Sequence, residues 1–276
     1  MKAALIEQSV AIGLSDAEFV QFQRMLHRLA GIHLGPEKKA LVCGRLNKRL
    51  KHHGLDSYGG YLRLLGSGRE PQELQTALDL LTTNETYFFR EPRHFALLRD
   101  RILPARRPGA SFRVWSAACS SGEEPYSLAM LLADRLGDAP WEIVASDIST
   151  RVLAQARSGH YAIERADNIP RPYLKAYCLK GIGAQDGTFL IDRGLRSRID
   201  FRQVNLNERL PQFGCFDVIF LRNVMIYFDV ETKRQVVQRL LGALRPGGYL
   251  LVGHSESLNG INDHVEPVVP SVYRKP

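Results

Sequence analysis

A chain of 276 residues, 45% hydrophobic and 24% charged, has an ordinary globular composition and room for one large domain or two unequal ones. Cys43, Cys119, Cys178 and Cys215 form no C-x-x-C pair, which argues against a zinc cluster or a disulfide framework and for a reducing compartment. A formal net charge of +8 and a pI near 9.4 call for a partner richer in negative charge than an average protein surface, whether nucleic acid, anionic lipid or an acidic protein. Glu7 interrupts the first short apolar stretch, and no later run approaches the ~20 apolar residues that span a bilayer, so neither export nor membrane insertion is expected and the protein should be cytoplasmic. Without secretion, the glycosylation-like triplet Asn84-Glu85-Thr86 is a chance match.

The N-terminal stretch reads as short helices. Ser15-Asp16-Ala17-Glu18 is a capping box, and Phe19, Phe22, Leu26 and Leu29 follow at intervals of three and four, which gives one apolar stripe. Pro36 suits the first turn of a second helix whose buried row is Val42, Leu46 and Leu50. Lys38, Lys39, Arg45, Lys48, Arg49 and Lys51 crowd the same segment without an Asp or Glu among them, so this helix is the expected partner surface. Ser57 to Leu65 and Pro71 to Leu81 give two more helices, and nothing in the region alternates as a strand does.

A connecting helix near Pro92 to Leu103 leads to Arg106-Arg107-Pro108-Gly109, the expected hinge. From Phe112 onward short apolar runs alternate with amphipathic helices: Phe112 to Ser116, a helix from Glu123, Trp141 to Ser146, a helix from Ser149, Phe216 to Leu221, a helix from Glu231, and Tyr249 to Val252. This alternation specifies a parallel sheet covered on both faces. Between them, Lys180 to Arg193 carries Gly181, Gly183 and Gly187 before Thr188-Phe189-Leu190-Ile191 and reads as an inserted hairpin.

The first strand-helix junction runs Trp115-Ser116-Ala117-Ala118-Cys119-Ser120-Ser121-Gly122-Glu123-Glu124-Pro125. Its small side chains let a ligand approach the backbone at the sheet's carboxyl edge. It lacks the G-x-G-x-x-G pattern, and Glu123 and Glu124 at the helix start would repel a pyrophosphate while matching a cation such as a sulfonium; either glutamate alone would also serve simply to complement the helix dipole. Asp147, ending the second strand, is placed to accept hydrogen bonds from ribose hydroxyls or to cap the next helix, a task for which Ser149 competes. Asn223 follows an apolar strand, as Asn205-Leu206 follows the preceding one; each is a cleft residue or a turn residue. His254 reads as structural, since no second histidine or nucleophile elbow accompanies it, and Tyr87, Phe88 and Phe89 read as packing between domains.

Taken together, Thr82-Thr83-Asn84-Glu85-Thr86-Tyr87-Phe88-Phe89-Arg90-Glu91, Val114-Trp115-Ser116-Ala117-Ala118, Gly122-Glu123-Glu124-Pro125-Tyr126-Ser127, Ala145-Ser146-Asp147-Ile148, Arg222-Asn223-Val224-Met225-Ile226-Tyr227-Phe228 and Gly253-His254-Ser255-Glu256 resemble, in order and spacing, the CheR-type chemotaxis receptor methyltransferases. The resemblance extends from about residue 15 to residue 274. It implies an α/β, Rossmann-like adenosylmethionine-dependent methyltransferase sheet with a small all-helical N-terminal domain and an inserted β-subdomain. The domains would be a receptor-facing helical domain over 1–88, a connecting helix and linker over 89–109, and a methyltransferase domain over 110–276 with the β-subdomain at about 178–196. The implied reaction is methyl transfer from S-adenosylmethionine to receptor glutamates, leaving S-adenosylhomocysteine.

Carried over residue by residue, the resemblance implies cofactor contacts from Asn84, Thr86, Arg90, Glu124, Asp147, Asn205, Leu206, Asn223 and Val224. Arg90 and Tyr227 would line the reacting end, and no metal is implied. The cationic helix would face the acidic methylation helices of the receptor. The β-subdomain docks a receptor C-terminal peptide in some members and not in others, and this sequence leaves the question open. A monomer is expected, with no nucleic-acid partner. Cys119 stands where other members often have Ala, a change that a site needing only a small residue tolerates. A nucleic-acid methyltransferase would instead show Asn/Asp-Pro-Pro-aromatic or Pro-Cys, a dehydrogenase would show the glycine fingerprint, and a non-catalytic adenosylmethionine sensor is opposed only by the intact motif set.

Overall fold

The computed structural model describes residues 12–107 and 109–276; Glu7 of the first apolar stretch and Pro108 of the expected hinge lie outside the described residues. The chain divides into two compact units, Met1–Thr82 and Thr83–Pro276.

In the first unit, α1 (Asp16–Ala30), α2 (Lys39–His52), α3 (Tyr58–Gly66) and α4 (Pro71–Leu81) follow one another, and none of its described residues belongs to a strand of either sheet. The capping box forms: Glu18 N–H donates to Ser15 Oγ at 3.2 Å and Ser15 N–H returns a bond to Glu18 Oε2 at 2.9 Å, an arrangement typically worth about 1 kcal/mol. The other oxygen of Glu18 accepts the Gly59 N–H at 2.6 Å, which ties the start of α1 to α3. Phe19, Phe22 and Leu26 of α1 and Val42, Leu46 and Leu50 of α2 are buried, so each helix presents the single apolar face its spacing encodes. Pro36 departs from expectation. Pro36–Lys38 forms a separate 3-10 turn closed by Lys38 N–H to Gly35 O at 3.0 Å, because Gly35 has no side chain with which to cap an α-helix there.

The second unit opens with α5 (Pro92–Leu97), which continues as a π-turn over Leu98–Ile102, then β1 (Phe112–Ser116), α6 (Glu123–Leu136), β2 (Trp141–Asp147) and α7 (Thr150–Ser158). Next come β3 (His160–Ala162), α8 (Arg171–Tyr177), β4 (Cys178–Lys180), β5 (Thr188–Ile191), α9 (Arg193–Arg196) and β6 (Ile199–Gln203). The chain closes with β7 (Phe216–Leu221), α10 (Val230–Ala243), β8 (Leu244–Val252), β9 (Glu266–Val269) and β10 (Val272–Arg274).

The main sheet has seven strands in the order β6-β2-β1-β7-β8-β10-β9. From β6 to β8 the pairing is parallel, whereas β10 pairs antiparallel with both β8 and β9. The sheet is therefore mixed, and its last hairpin is an addition to the parallel sheet read from sequence; the two strands are short and Pro267 and Pro270 interrupt their pattern, so they carry little strand signal. The inserted sheet has the order β3-β5-β4. Its third strand, His160–Ala162, joins the hairpin expected over Lys180 to Arg193, and at three residues it is too short for alternation to reveal it.

Every residue of β7 is buried, and Trp115 on β1 is fully buried with its indole N–H donating to Ser146 Oγ on β2 at 2.9 Å. Tyr161 and Phe189 stack at 5.6 Å, Phe88 meets Tyr161 edge-on at 5.1 Å, and Tyr161 Oη donates to Ser121 O at 2.7 Å. These contacts fasten the small sheet to the β1–α6 loop. Gly122 belongs there for two reasons: its φ is +98°, and a Cβ would lie 2.8 Å from Tyr161 Oη. Among the described residues, no helix is long and apolar enough to cross a membrane.

Candidate active site at the carboxyl edge of the sheet

The strand order reverses at β1, which lies between β2 and β7, and in open parallel sheets ligands bind outside the carboxyl ends of strands at such a point. The β1–α6 loop, Asp147, the Asn205-Leu206 turn, the Arg222 to Tyr227 loop and the Gly253 to Glu256 turn all follow the carboxyl ends of parallel strands.

The segment 84–91 reaches this edge without regular structure and is held by hydrogen bonds to the rest of the unit. Ser120 Oγ donates to Asn84 O at 3.0 Å, Arg165 Nη1 to Thr86 O at 2.9 Å, Phe89 N–H to Ser127 Oγ at 2.9 Å, and Arg222 Nη2 to Arg90 O at 2.5 Å. Phe89 (φ 54°) and Glu91 (φ 58°) flank Arg90 in the left-handed region, which costs non-glycine residues about 1–3 kcal/mol each and persists only where the surroundings enforce it. Arg90 itself donates to Glu85 O at 2.8 Å, with its guanidinium carbon 5.6 Å from the Tyr87 ring centroid. Phe88 and Phe89 are buried, on Tyr161 and on Phe95 and Tyr173; these partners lie inside the α/β unit.

Glu123 and Glu124 occupy the first turn of α6 as the sequence places them, and both are shielded. Ser121 Oγ donates to Glu123 Oε2 at 2.7 Å, with Arg165 3.0 Å from Oε1; burial pushes this carboxyl up in pKa against those two partners. Glu124 accepts from Ser116 Oγ at 2.7 Å and from Arg222 Nη1 at 2.9 Å, and burial likewise pushes its carboxyl up against the pull of Arg222. Asp147 accepts backbone N–H groups from Ser120 at 2.9 Å and Ser149 at 3.0 Å, while Ser149 caps α7 by accepting from Val152 N–H. The capping competition therefore goes to Ser149, and Asp147 is oriented from two loops at the edge.

Asn205 shapes its own turn, accepting Asn207 N–H at 3.0 Å and donating to Glu208 at 2.9 Å, and Leu206 is buried with its carbonyl accepting from Arg239 at 3.1 Å. Asn223 adopts φ 58°. Its loop is gathered by Glu256, a residue the sequence reading does not single out: one carboxylate accepts N–H groups from Gly253 at 2.6 Å, Asn223 at 2.8 Å and Ile226 at 3.2 Å. Gly253 must stay side-chain-free, since a Cβ would meet Asn223 Nδ2 at 2.6 Å. Val224 and Tyr227 are partly exposed on the same loop.

Arg222 and Glu91 stand within the motifs, and the sequence alone gives neither a role. The Arg222 side chain, 2% exposed, lies between Glu91 (3.1 Å) and Glu124 (2.9 Å). Burial would raise the Glu91 carboxyl, but Arg222, the His254 N–H and the Asn223 amide outweigh it and hold the carboxyl below its ordinary value. The fold also supplies His254 with the partner histidine that sequence alone does not reveal: His94 meets it edge-on at 5.2 Å. Glu91, His94 and His254 each offer a metal-ligating atom within 4.8 Å of the others, but the Arg222 guanidinium already neutralises Glu91 and would repel a second cation.

Lys48 and Lys51 on α2, and Lys38 in the 3-10 turn just before it, are exposed. Lys39 reaches Asp16 at 2.6 Å, and Arg45 donates to the carbonyls of Leu81 (3.1 Å) and Thr82 (2.9 Å) at the end of α4. Arg49 is ion-paired with Glu73, a buried carboxylate that also accepts from Tyr61 Oη at 2.5 Å. The expected partner face thus narrows to the three exposed lysines, because the two arginines are committed to holding α2 against α4.

A Rossmann-like sheet with shielded carboxylates at its first helix start fits a cationic adenosyl cofactor, the class of an adenosylmethionine-dependent methyltransferase. The family model for the CheR methyltransferase SAM binding domain matches residues 84–273, and that for the CheR methyltransferase all-alpha domain matches residues 17–82. The chain belongs to the CheR methyltransferase family. It is 44% identical to the chemotaxis protein methyltransferase of Escherichia coli (strain K12) over 92% of this chain and 89% of that one. Chemotaxis protein methyltransferase 2 of Pseudomonas aeruginosa is also 44% identical, over 93% of this chain and 92% of its own.

Proposed function

We propose that this enzyme transfers the methyl group of S-adenosylmethionine to the γ-carboxylate of glutamates on acidic methylation helices of chemoreceptor cytoplasmic domains, leaving a methyl ester and S-adenosylhomocysteine, and so serves adaptation in bacterial chemotaxis. The observation that carries this reading is the pair of shielded carboxylates, Glu123 and Glu124, at the start of α6, where a dinucleotide-binding sheet would present N–H groups to a pyrophosphate. Cofactor contacts are assigned to Asn84, Thr86, Arg90, Glu124, Asp147, Asn205, Leu206, Asn223 and Val224, with Asp147 on the ribose hydroxyls and Leu206 against the adenine face.

When bound, the cofactor supplies a methyl group activated by its sulfonium. A glutamate with an ordinary pKa of about 4.3 is ionised at pH 7, so the enzyme needs no general base. What the residues contribute is alignment and exclusion of water, and in favourable model reactions good orientation recovers about 7–11 kcal/mol. Anion and cation neutralise each other as the methyl moves, so a strongly charged clamp on the reacting groups would hold them back. Arg90 is accordingly an orienter of cofactor and substrate, and Tyr227 a wall with one hydrogen-bonding hydroxyl.

Lys48 and Lys51 of α2, with Lys38 just before it, recruit the acidic helices by electrostatic complementarity. The enzyme acts as a cytoplasmic monomer. Incubating the full chain with methyl-labelled adenosylmethionine and either a receptor signalling domain or nucleic acid tests the assignment. Base-labile label on receptor glutamates is expected; label on nucleic acid would contradict it.

A further inference from the structure

The segment bearing Arg90 adopts a backbone that its residues do not favour, with left-handed φ on both sides of Arg90 at Phe89 and Glu91. Something must hold it, and at Arg90 and Glu91 one side chain reaches both residues. Arg222 donates from Nη2 to the Arg90 carbonyl at 2.5 Å, from Nε to Glu91 Oε2 at 3.3 Å and from Nη1 to Glu124 Oε2 at 2.9 Å. Its guanidinium carbon lies 5.9 Å from the ring centroids of both Phe95 and Phe220, so the charge sits beside a pair of aromatic rings as well as being paired. Glu91 extends the linkage: its Oε1 accepts from His254 N–H at 3.1 Å and Asn223 Nδ2 at 3.3 Å. One guanidinium thus joins the Arg90 segment, the first turn of α6 and the loop after β7.

We propose that Arg222 is the positioning residue of this active site, fixing Arg90 relative to Glu124 and Asn223 through a Glu91–Arg222–Glu124 clamp. The clamp requires a guanidinium. Its planar fork donates to three acceptors, and a lysine ammonium keeps the charge but cannot span Arg90 O, Glu91 and Glu124 with the same geometry. The proposal rests on the reading of Arg90 as the orienter of the reacting groups.

A double-mutant cycle on the full chain tests it, using Arg90→Ala, Arg222→Lys and the pair, with kcat for receptor methylation, dissociation constants for S-adenosylhomocysteine, and melting curves to show that each variant is folded at the assay temperature. Arg222→Lys should lower kcat at least 30-fold while weakening cofactor binding less than tenfold. In the Arg90→Ala background it should change kcat by no more than about twofold, because positioning is lost only once. Losses that multiply would mean that Arg222 is only structural, and an Arg222→Lys enzyme with normal kcat would overturn the clamp. If Arg90→Ala turns over normally, the underlying reading of Arg90 has failed, whatever Arg222 does. Should Arg222→Lys not fold, the nearly isosteric Glu91→Gln enters the same cycle with the same expected non-additivity, and multiplicative losses there overturn the proposal equally.

Discussion

His94 shows how a single buried side chain links site architecture to solution behaviour. It is 2% exposed, its Nε2 lies 2.8 Å from Ser271 Oγ, and Glu91, Arg222 and His254 face it. Burial, with Arg222 and His254 acting the same way and Glu91 opposing, pushes its pKa down from 6.5 to about 4. Between those values the unfolded chain holds a proton that the folded chain does not, so acid favours unfolding. The stabilisation from neutral His94 is complete above pH 6.5 and falls by about 3 kcal/mol as pH drops toward 4. His94→Phe keeps a ring against His254 and cannot titrate, so its melting temperature should fall less between pH 7 and pH 5 than that of the parent protein; parallel curves would contradict this origin. Little of the arrangement was legible in the residues themselves. Asp147 and Glu124 announce themselves by their place after a strand and at a helix start, whereas Glu91, His94, Arg222 and Glu256 matter through partners that only the folded loops bring near.

At the scale of elements, local rules foretold most of the boundaries. The capping box at Ser15, the prolines opening α4 and α5, and the fully apolar run of β7 each state their element in a few neighbouring residues. What escaped was either too short to show periodicity, as with β3, β9 and β10, or dependent on tertiary partners, as with the use of Arg45 and Arg49 inside the helical unit. Helix α2 separates the two kinds of information experimentally. Burial alone would raise the Glu73 carboxyl, but Arg49, Tyr61 and His53 outweigh it and hold it at about 2, so an ionised Glu73 depends on Arg49. Arg49→Ala should destabilise the helical unit by about 3–5 kcal/mol, the usual cost of stranding a buried charge. Lys48→Glu, on the exposed face, should alter stability by no more than about 0.5 kcal/mol while lowering receptor methylation and leaving cofactor affinity intact. Equal destabilisation of the two in thermal or urea melts would mean that Lys48 is also a structural residue.

For the whole molecule, the proposed function makes the carboxyl edge around β1, β2 and β7 the seat of a cationic adenosyl donor and gives the helical unit a basic face for an acidic partner. The alternation of strand and helix made the α/β unit legible from sequence, because fully buried parallel strands must be apolar throughout and their helices must be amphipathic. The strand order that brings β7 beside β1 was not legible, since residues of the two strands carry no local mark of their neighbours. The most direct test of the central claim is calorimetric titration of the full chain with S-adenosylhomocysteine and, separately, with NAD. One-to-one binding of S-adenosylhomocysteine, weakened at least tenfold by Asp147→Ala, with no binding of NAD, is the expected result; NAD binding, or no affinity for either S-adenosylhomocysteine or S-adenosylmethionine, would contradict the assignment of this edge as the methyl-donor site.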